Sequence, residues 1–198
     1  SEPGAADAIH GKLAGEGIGV DVLVNNAGFG RYGPFHESDR DAALRMIRCN
    51  VVALTELTRL LLPGMVARGR GRILNLASTA SFRPGPFMAV YFATKAYVLS
   101  LSESLAAELA GTGVTVTALC PGATATGFAG AAGTAESRAA ELKGIPGPRE
   151  VALFGYRSMT AGRAVAVHGL ANRLIVGALR FMPRRLVARI SRRVRETP

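Results

Sequence analysis

The sequence predicts an α/β protein in which a parallel sheet lies between two layers of helices. Short apolar runs rich in β-branched residues alternate with long helical segments, which is the order expected for βαβ units. The runs are continuous rather than alternating, as in strands that are buried on both faces. Four runs fit this description, at 20–24, 72–77, 114–120 and 164–168. Parallel sheets bind ligands beyond the carboxyl ends of their strands, so functional residues are expected there.

The first part of the chain predicts a helix, a strand and a second, long helix. Residues 5–14 are expected to end a helix, and the first strand (Val-Asp-Val-Leu-Val) is closed by Asn-Asn-Ala-Gly at 25–28. The long helix is predicted over 39–68, with Asp39 or the serine before it as N-cap and a glycine after its end. Pro63 is expected to kink or divide this helix, because proline removes a backbone donor.

The remaining elements continue the alternation. A Ser-, Gly- and Pro-rich loop at 78–87 follows the second strand, and a strong helix is predicted over 89–110. The third strand ends at Pro121-Gly122, and the Gly/Ala-rich residues 123–147 form a loop long enough to suggest a function. Three further elements are expected: a helix over 148–159, a short last strand, and a helical segment at 171–195 that is broken near Pro183.

Composition excludes several classes of protein. The chain has 198 residues, of which 48% are hydrophobic and 19% charged, a balance that excludes intrinsic disorder and suits one domain with a sizeable core. Two cysteines, Cys49 and Cys120, are too few for a disulfide scaffold or a zinc cluster. The three histidines are scattered, so no metal site is predicted. An intracellular, cytoplasmic domain is the expected setting.

The net charge of +10 is concentrated in one segment. Residues 173–198 hold eight Arg and one Glu, whereas the rest of the chain is nearly balanced. Apolar residues alternate with the arginines over 184–195, as in a basic amphipathic helix. Three alternatives are open for this tail: a helix packed on the body with a solvated basic face, contact with a membrane surface, or contact with a partner. Nucleic acid is a minor alternative, because the body carries little excess charge.

Three features at the predicted strand ends carry chemistry. Tyr91-Phe-Ala-Thr-Lys95 places a phenol and an ammonium on one helix face, where the cation favours ionisation of the phenol and suits it for acid/base work. Ser78 ends the second strand and could bond the oxygen that Tyr91 protonates. Asn50 interrupts a long helix, where it needs an explanation. Each feature alone is common by chance, but their order and placement together are specific.

With these residues the chain resembles the classical short-chain dehydrogenase/reductase family from about residue 5 to about 130. The resemblance implies a Rossmann-like, doubly wound sheet and an NAD(P)-dependent oxidoreductase that interconverts a carbonyl and an alcohol. It implies that Tyr91 moves the proton, Ser78 holds the substrate oxygen, Lys95 assists Tyr91 and binds the nicotinamide ribose, and Asn50 positions a water. The choice between NAD and NADP stays open.

The resemblance also divides the chain by role. Residues 1–122 are expected to hold the catalytic and partial cofactor-binding region, 123–163 a substrate loop or lid, and 171–198 the basic tail. The substrate is expected to be a small-molecule carbonyl or alcohol, with an apolar one as a candidate. Four phenylalanines are candidates for an apolar lining, and for any single one ordinary core packing is the preferred alternative: Phe82, Phe87, Phe128 and Phe154. Phe87 and Phe128 are taken as the substrate residues, together with Ser78 and Tyr91. The cofactor-binding residues implied by the resemblance are Asn25, Ala27, Gly28, Tyr91, Lys95, Pro121, Gly122, Thr124 and Thr126.

The family's glycine-rich phosphate turn, Thr-Gly-x-x-x-Gly-x-Gly, is not found in these 198 residues. The glycines at 15, 17 and 19 precede a strand, whereas the turn must follow one. We therefore expect the chain to begin after the family's third strand, keeping strands 4 to 7 of the order 3-2-1-4-5-6-7, with an open apolar edge at strand 20–24. Two hypotheses follow. The first is an oxidoreductase whose 198 residues alone are inactive, and the second is a non-catalytic fragment or binding module that uses the tail.

The resemblance implies self-association as well. The family forms dimers and tetramers through the two long helices, which correspond to 39–68 and 89–110 here. A homo-oligomer is therefore expected.

Overall fold

The computed structural model describes residues 2–133 and 144–195 and contains one parallel sheet. Its strands pair in chain order, β1 with β2, β2 with β3 and β3 with β4, all in parallel. This confirms the predicted fold class and the predicted strand order. The strands are β1 (Val22–Asn25), β2 (Gly71–Leu76), β3 (Val114–Cys120) and β4 (Val165–Val167).

Helices connect the strands and extend the chain beyond β4. Each predicted helix is present within two residues of its expected bounds, and a short helix follows β3 within the predicted loop. Part of that loop, 134–143, lies outside the described residues. The helices are α1 (Ala5–Gly15), α2 (Arg40–Ile47), α3 (Ala53–Ala67), α4 (Ala89–Glu108), α5 (Phe128–Ala131), α6 (Pro148–Thr160), α7 (Leu170–Leu179) and α8 (Arg184–Arg195).

The long helix is interrupted at a different place from the one predicted. Asp39 caps α2 by accepting a hydrogen bond from the backbone N–H of Asp41 at 2.9 Å, which confirms the cap. Pro63 lies inside α3, which continues to Ala67, so the expectation that it divides the helix was wrong. The irregularity is a π-helical turn at Arg48–Val52 between α2 and α3. Such turns are frequent at functional sites.

Helices cover both faces of the sheet. Successive strand residues point to opposite faces, and β2 shows this with Ile73 and Leu74. Ile73 packs with Met65 of α3 and Leu109 beyond α4, whereas Leu74 packs with Val151 of α6. Helix α6, the last part of the predicted substrate segment at 123–163, therefore packs on the sheet, and a substrate role for this segment stays a prediction.

Strand β1 forms an edge of the described sheet. Val22 and Val24 of this strand are about half exposed, while Leu23 packs against the core on the α3 face. The expected apolar edge is therefore present among the described residues. Such an edge favours pairing with a further strand.

The continuous helical stretch Arg40–Ala67 is long and apolar enough to cross a membrane by length and composition alone. In this fold it runs alongside the sheet, and its residues Leu54, Thr58 and Met65 are buried in the protein. A core helix of a soluble protein passes the same test, so the stretch is weak support for a membrane span.

Two glycines in the turn before β3 form a matched pair for a stability test. Gly111 and Gly113 both have a φ of about +80°, but a Cβ on Gly111 would meet open space, whereas a Cβ on Gly113 would overlap the carbonyl oxygen of Gly69. We expect Gly111→Ala to cost about 1–2 kcal/mol for backbone strain alone. Gly113→Ala should cost more than about 3 kcal/mol, because the Gly69 backbone must also move. Urea unfolding measures both, and equal losses would contradict the steric argument.

Candidate active site

The ends of β2 and β3 are tied together by the turn that holds Ser78. The backbone N–H of Thr79 donates to the carbonyl of Pro121 at 2.9 Å, and the Ser78 hydroxyl lies 3.5 Å from the same oxygen. Ser78 also caps a 3₁₀ turn, Thr79–Phe82, by accepting from the N–H of Ala80 at 3.1 Å. The carboxyl ends of the two central strands therefore meet at Ser78, as the sequence predicted.

Tyr91 and Lys95 lie in the first half of α4, on the side that faces this edge. Both side chains are buried, and the Lys95 Nζ lies 5.9 Å from the centre of the Tyr91 ring. The ammonium donates a hydrogen bond to the carbonyl of Leu76, the last residue of β2. The spacing of four residues thus brings the phenol and the cation together as expected.

Burial changes the acidity of Lys95. Loss of hydration disfavours its charged form and lowers its pKa from 10.5 to about 8, while the thiols of Cys49 and Cys120 act in the opposite direction. The side chain therefore remains mainly an ammonium at neutral pH. It is also poised to lose its proton in mildly alkaline solution.

Ser81 joins the Ser78 turn to helix α4. Its hydroxyl donates to the carbonyl of Lys95 at 2.7 Å and accepts from the N–H of Ser78 at 3.3 Å. Ser78 and Lys95, which lie on different elements, are thereby held at fixed positions relative to each other. No periodicity in the sequence singles out this serine among the others of the loop.

Asn50 connects the segment after β1 to helix α4. From the π-helical turn its amide accepts from the N–H of Phe29 at 3.1 Å and donates to the carbonyl of Phe29 at 2.9 Å. It also donates to the hydroxyl of Thr94 at 3.1 Å, and that hydroxyl donates to the carbonyl of Tyr91 at 2.7 Å. Asn50 thus acts on the site through Phe29 and Thr94, while the predicted role in positioning a water stays a prediction.

A buried chain of polar side chains runs under the site. Asn25 donates to the side-chain oxygen of Asn75 at 2.8 Å and lies 3.1 Å from that of Thr58, and Asn75 donates to Ser102 at 2.9 Å. These bonds connect β1, β2, α3 and α4. The side chain of Asn25 therefore faces the interior. Only its backbone is left for the predicted contact with a cofactor, which stays a prediction.

Gly28 lies in a position that leaves room beside the buried ammonium. A Cβ at this glycine would lie 3.0 Å from Oδ1 of Asn50 and 3.6 Å from Nζ of Lys95. Ala27 and Gly28 themselves are exposed. The exposed backbone next to a buried cation suits the nicotinamide ribose half of a dinucleotide, whose hydroxyls are hydrogen-bond acceptors and donors.

The segment after β3 borders the same edge. The Thr124 hydroxyl donates to the carbonyl of Gly122 at 3.2 Å, and the Thr126 hydroxyl accepts from the N–H of Phe128 at 3.3 Å. Gly122 also lies close to Asn172 of α7, since a Cβ there would lie 2.5 Å from its amide nitrogen. The predicted cofactor residues of this segment are thus brought to the strand ends, and their contact with a cofactor stays a prediction.

Aromatic side chains form an apolar wall beside Tyr91. The ring of Phe128 lies 5.3 Å from that of Tyr91, and Phe87 packs on Tyr32 at 5.9 Å. Phe87 has a φ of 63°, a backbone conformation that bulky residues rarely adopt because it is strained. Strained residues of this kind are often found at functional sites. The substrate-facing role expected of Phe87 and Phe128 stays a prediction.

The other two aromatic candidates, Phe82 and Phe154, lie in the core. Phe82 packs against the cluster of Leu54, Val98 and Ala118, and Phe154 of α6 packs on the opposite face of the sheet, against His168. For both, ordinary core packing describes their place. Among residues 2–133 and 144–195, no three His, Cys, Asp or Glu side chains come together in a way that could hold a metal ion.

Several residues of the site were missed at the sequence level. Thr94 and Ser81 are found only through their partners, but Asn75 carried a signal, since asparagine is depleted in strands and stands here between two leucines. A polar residue in a strand buried on both faces has to be hydrogen-bonded. That rule would have pointed to a partner on α4.

Comparison with known proteins gives a consistent family match. The sequence profile described as "short chain dehydrogenase" matches residues 3–137. The ketoacyl reductase HetN of Nostoc is 40% identical over 136 residues, which are 67% of this chain and 46% of HetN. The NADP-dependent 3-hydroxy acid dehydrogenase YdfG of Escherichia coli is 40% identical over 119 residues, 60% of this chain and 48% of YdfG. The chain thus spans less than half the length of these relatives.

Solved structures show the same fold. A short-chain dehydrogenase from Sphingobium yanoikuyae, determined in complex with NADPH, superposes with a TM-score of 0.75 at 31% identity. The superposition covers 91% of this chain and 70% of that protein.

Proposed function

The chain belongs to the short-chain dehydrogenase family, and on this basis we propose that its site interconverts a carbonyl and an alcohol with NAD(P)(H). The observation that carries the proposal is the meeting of Ser78, Tyr91 and Lys95 at the carboxyl ends of β2 and β3. Ser78 is fixed to Pro121, and Lys95 to Leu76, so the three groups share one frame. This is the placement that parallel sheets give to ligand-binding residues.

Tyr91 would give the proton to, or take it from, the substrate oxygen. The ammonium of Lys95 at 5.9 Å from its ring centre favours the phenolate that forms when the proton leaves. The wall formed by Phe128 excludes water from one side of the phenol. A positioned acid of this kind speeds proton transfer by about 10²–10⁴-fold.

Ser78 would hold the same oxygen. Its hydroxyl has a long contact of 3.5 Å with Pro121, so its proton is free to move to a better acceptor. The capping bond from Ala80 fixes the position of the oxygen while that proton turns. The substrate oxygen would therefore be held between the Ser78 and Tyr91 hydroxyls.

The nicotinamide half of the cofactor would lie along the exposed backbone of Ala27 and Gly28. When bound, it supplies or accepts the hydride, which no amino-acid side chain can do. Lys95 would bind the ribose hydroxyls next to Gly28, and Asn50 would hold this segment in place through Phe29. Pro121, Gly122, Thr124 and Thr126 would border the nicotinamide on the other side. The choice between NAD and NADP is left to experiment.

The proposed substrate is a small carbonyl compound or alcohol with an apolar part. Phe128 offers an apolar surface against Tyr91, and Phe87 packs on Tyr32, which contacts the same apolar cluster as Tyr91. Two of the relatives are named for ketoacyl and 3-hydroxy acid substrates. A 3-oxoacyl or 3-hydroxyacyl compound is therefore the first class to test. The cytoplasmic location expected from the sequence stays a prediction.

The protein is proposed to act as a homo-oligomer. The helical stretch α2–α3 and helix α4 carry apolar side chains that are partly exposed on the outer side, including Ile47, Val52, Val66 and Tyr97. Apolar surface on long neighbouring helices suits an isologous interface.

The proposed function is tested by comparing the chain with and without a glycine-rich phosphate turn. These 198 residues contain no such turn, so we expect them alone to bind neither NADH nor NADPH tightly in titration calorimetry and to show no turnover. The same chain preceded by a segment that supplies the turn should bind one of the two and reduce 3-oxoacyl compounds, measured by loss of nicotinamide absorbance. Tight binding by the 198 residues would refute the first expectation, and absence of turnover in the extended chain would refute the function.

A second candidate is a non-catalytic binding module. The basic tail favours it, since a basic amphipathic helix is not needed for hydride transfer. The extended chain discriminates the two candidates: turnover that depends on Tyr91 supports the enzyme, and partner binding without turnover supports the module.

A further inference from the structure

Helix α7 and the turn after it expose apolar side chains that no described residue covers. Leu170 and Leu174 are 71% and 67% exposed, and Phe181 is 90% exposed. The first two stand four residues apart and therefore lie on one face of α7. Single exposed apolar residues need no explanation, but a run of them on neighbouring elements indicates a binding surface.

Helix α8 exposes a second apolar stripe. Leu186, Ile190 and Val194 follow one another at intervals of four residues and are all exposed. The adjacent face of the helix is buried by Val187 and Ser191, and the Ser191 hydroxyl accepts from the guanidinium of Arg83 at 3.0 Å. The helix is thus fixed to the body by one face and leaves a second apolar face open.

The charge around this face is strongly basic. All charged residues between 173 and 195 are arginines, and five of them, Arg184, Arg185, Arg189, Arg192 and Arg193, are exposed on α8. By helical spacing, the stripe of Arg185, Arg189 and Arg192 lies beside the open apolar stripe and away from the buried one. We define the tail surface as the exposed residues of α7, Phe181 and α8.

Charge and apolar pattern together select the occupant. A second copy of the tail surface would bring like charges together, which opposes self-association through it. An amphipathic helix with a strongly basic polar face and apolar side chains beside it is the pattern of interfacial membrane binding. Anionic headgroups attract arginines at the surface, and the hydrocarbon boundary accepts leucine and phenylalanine. We propose that the tail surface docks on an anionic lipid bilayer.

The tail surface is connected to the candidate active site, so docking on a bilayer would bring the site close to the lipid. The tail surface is held to the turn after Ser78 through Arg83, and α7 contacts both that turn and Gly122 through Asn172. A bilayer on this surface would therefore lie next to the carboxyl edge of the sheet. An apolar substrate dissolved in the bilayer would be near the site.

Co-sedimentation with vesicles tests the proposal. The chain should sediment with vesicles of phosphatidylcholine and phosphatidylserine, should sediment much less with phosphatidylcholine alone, and should be released by high salt. Replacing Arg185, Arg189 and Arg193 by Gln should weaken partitioning by about fivefold for each charge. Replacing Leu186, Ile190 and Val194 by Ser should weaken it by about tenfold or more, because their apolar contact is lost.

The matched control removes apolar side chains elsewhere. Phe35, Leu153 and Tyr156 are exposed to a similar degree outside the tail surface, and their replacement by Ser should leave sedimentation unchanged. All changed positions are exposed, so thermal unfolding should be nearly unaffected, which circular dichroism checks. The proposal is overturned if the native chain does not sediment with anionic vesicles. It is equally overturned if the serine variant of α8 sediments like the native chain, since an acidic protein or polyanion would then explain the arginines better.

Discussion

Replacement of Tyr91 by Phe is expected to lower the turnover of carbonyl reduction by about 10²–10⁴-fold in the chain that carries the upstream phosphate turn. The change removes one hydroxyl and keeps the ring, so the packing on Phe128 is retained. Without the Tyr91 hydroxyl, no proton donor beside Lys95 remains for the substrate oxygen. Cofactor affinity should change little, because the backbone of Ala27 and Gly28 is not touched. Steady-state kinetics and calorimetry separate the two effects.

Tyr97 provides the control on the same helix. It lies six residues further along α4, is partly exposed, and its hydroxyl is 3.1 Å from that of Thr55. Tyr97→Phe removes the same atom from the same helix, and turnover should stay within about twofold of the native value. Undiminished turnover in Tyr91→Phe, or an equal loss in Tyr97→Phe, would contradict the role given to Tyr91.

The sheet and its functional edge were predictable because they depend on local patterns. Continuous apolar runs separated by long helices allow few topologies, and right-handed parallel crossovers then place the strand ends side by side. Ser78 and Pro121 follow neighbouring strands, so their contact follows from the topology. Tyr91 and Lys95 are four residues apart, so their contact follows from the helix.

The support beneath the site was not predictable, because it depends on register. Asn25 meets Asn75 only since these two residues are partners in the pairing of β1 with β2. A shift by one residue would turn Asn75 to the opposite face and break its bond to Ser102. Local patterns do not specify such a register, so these side chains appear as a network only in three dimensions.

The long helix and the tail show the same limit. Proline is a strong local signal, yet the regular helix continues through Pro63, and the π-helical turn forms where Asn50 has partners on other elements. In the tail the amphipathic pattern was correct, but the buried face is set by Val187 and Ser191 rather than by the longer apolar stripe. Tertiary contacts decide between faces that the sequence makes equally suitable.

Replacement of Lys95 by Met is the second change with a large expected effect, and it should act on activity and stability in opposite directions. Methionine has a similar length and no charge, so the buried space remains filled. Turnover should fall by about 10²–10³-fold, as when a fixed electrostatic group is removed from an active site. Loss of the charge beside Tyr91 should lower kcat. Loss of the contact with the ribose should raise the KM for the cofactor.

Stability at neutral pH should rise. Burial lowers the pKa of Lys95 from 10.5 to about 8, so holding its proton in the folded state costs about 3 kcal/mol below pH 8. The variant removes this cost but leaves the carbonyl of Leu76 without its ammonium donor, a loss of about 1–2 kcal/mol. The expected net gain in the free energy of unfolding is about 1–2 kcal/mol at pH 7. A gain of stability with a loss of function is typical of active-site residues.

The pH dependence gives the sharper test, because the sign is fixed by the direction of the shift. Between about pH 8 and 10.5 the unfolded chain binds the Lys95 proton and the folded chain does not, so the native protein becomes more stable as pH rises through this range. Burial of Cys120 raises its pKa to about 12 and has the opposite effect above about pH 9, but this thiol is present in both proteins. In urea unfolding the variant should therefore be more stable than the native chain by about 1–2 kcal/mol below pH 8, and the difference should reverse by about pH 10.5, where the native chain has gained about 3 kcal/mol. A difference that does not change with pH would show that Lys95 is not a buried ammonium in the folded protein.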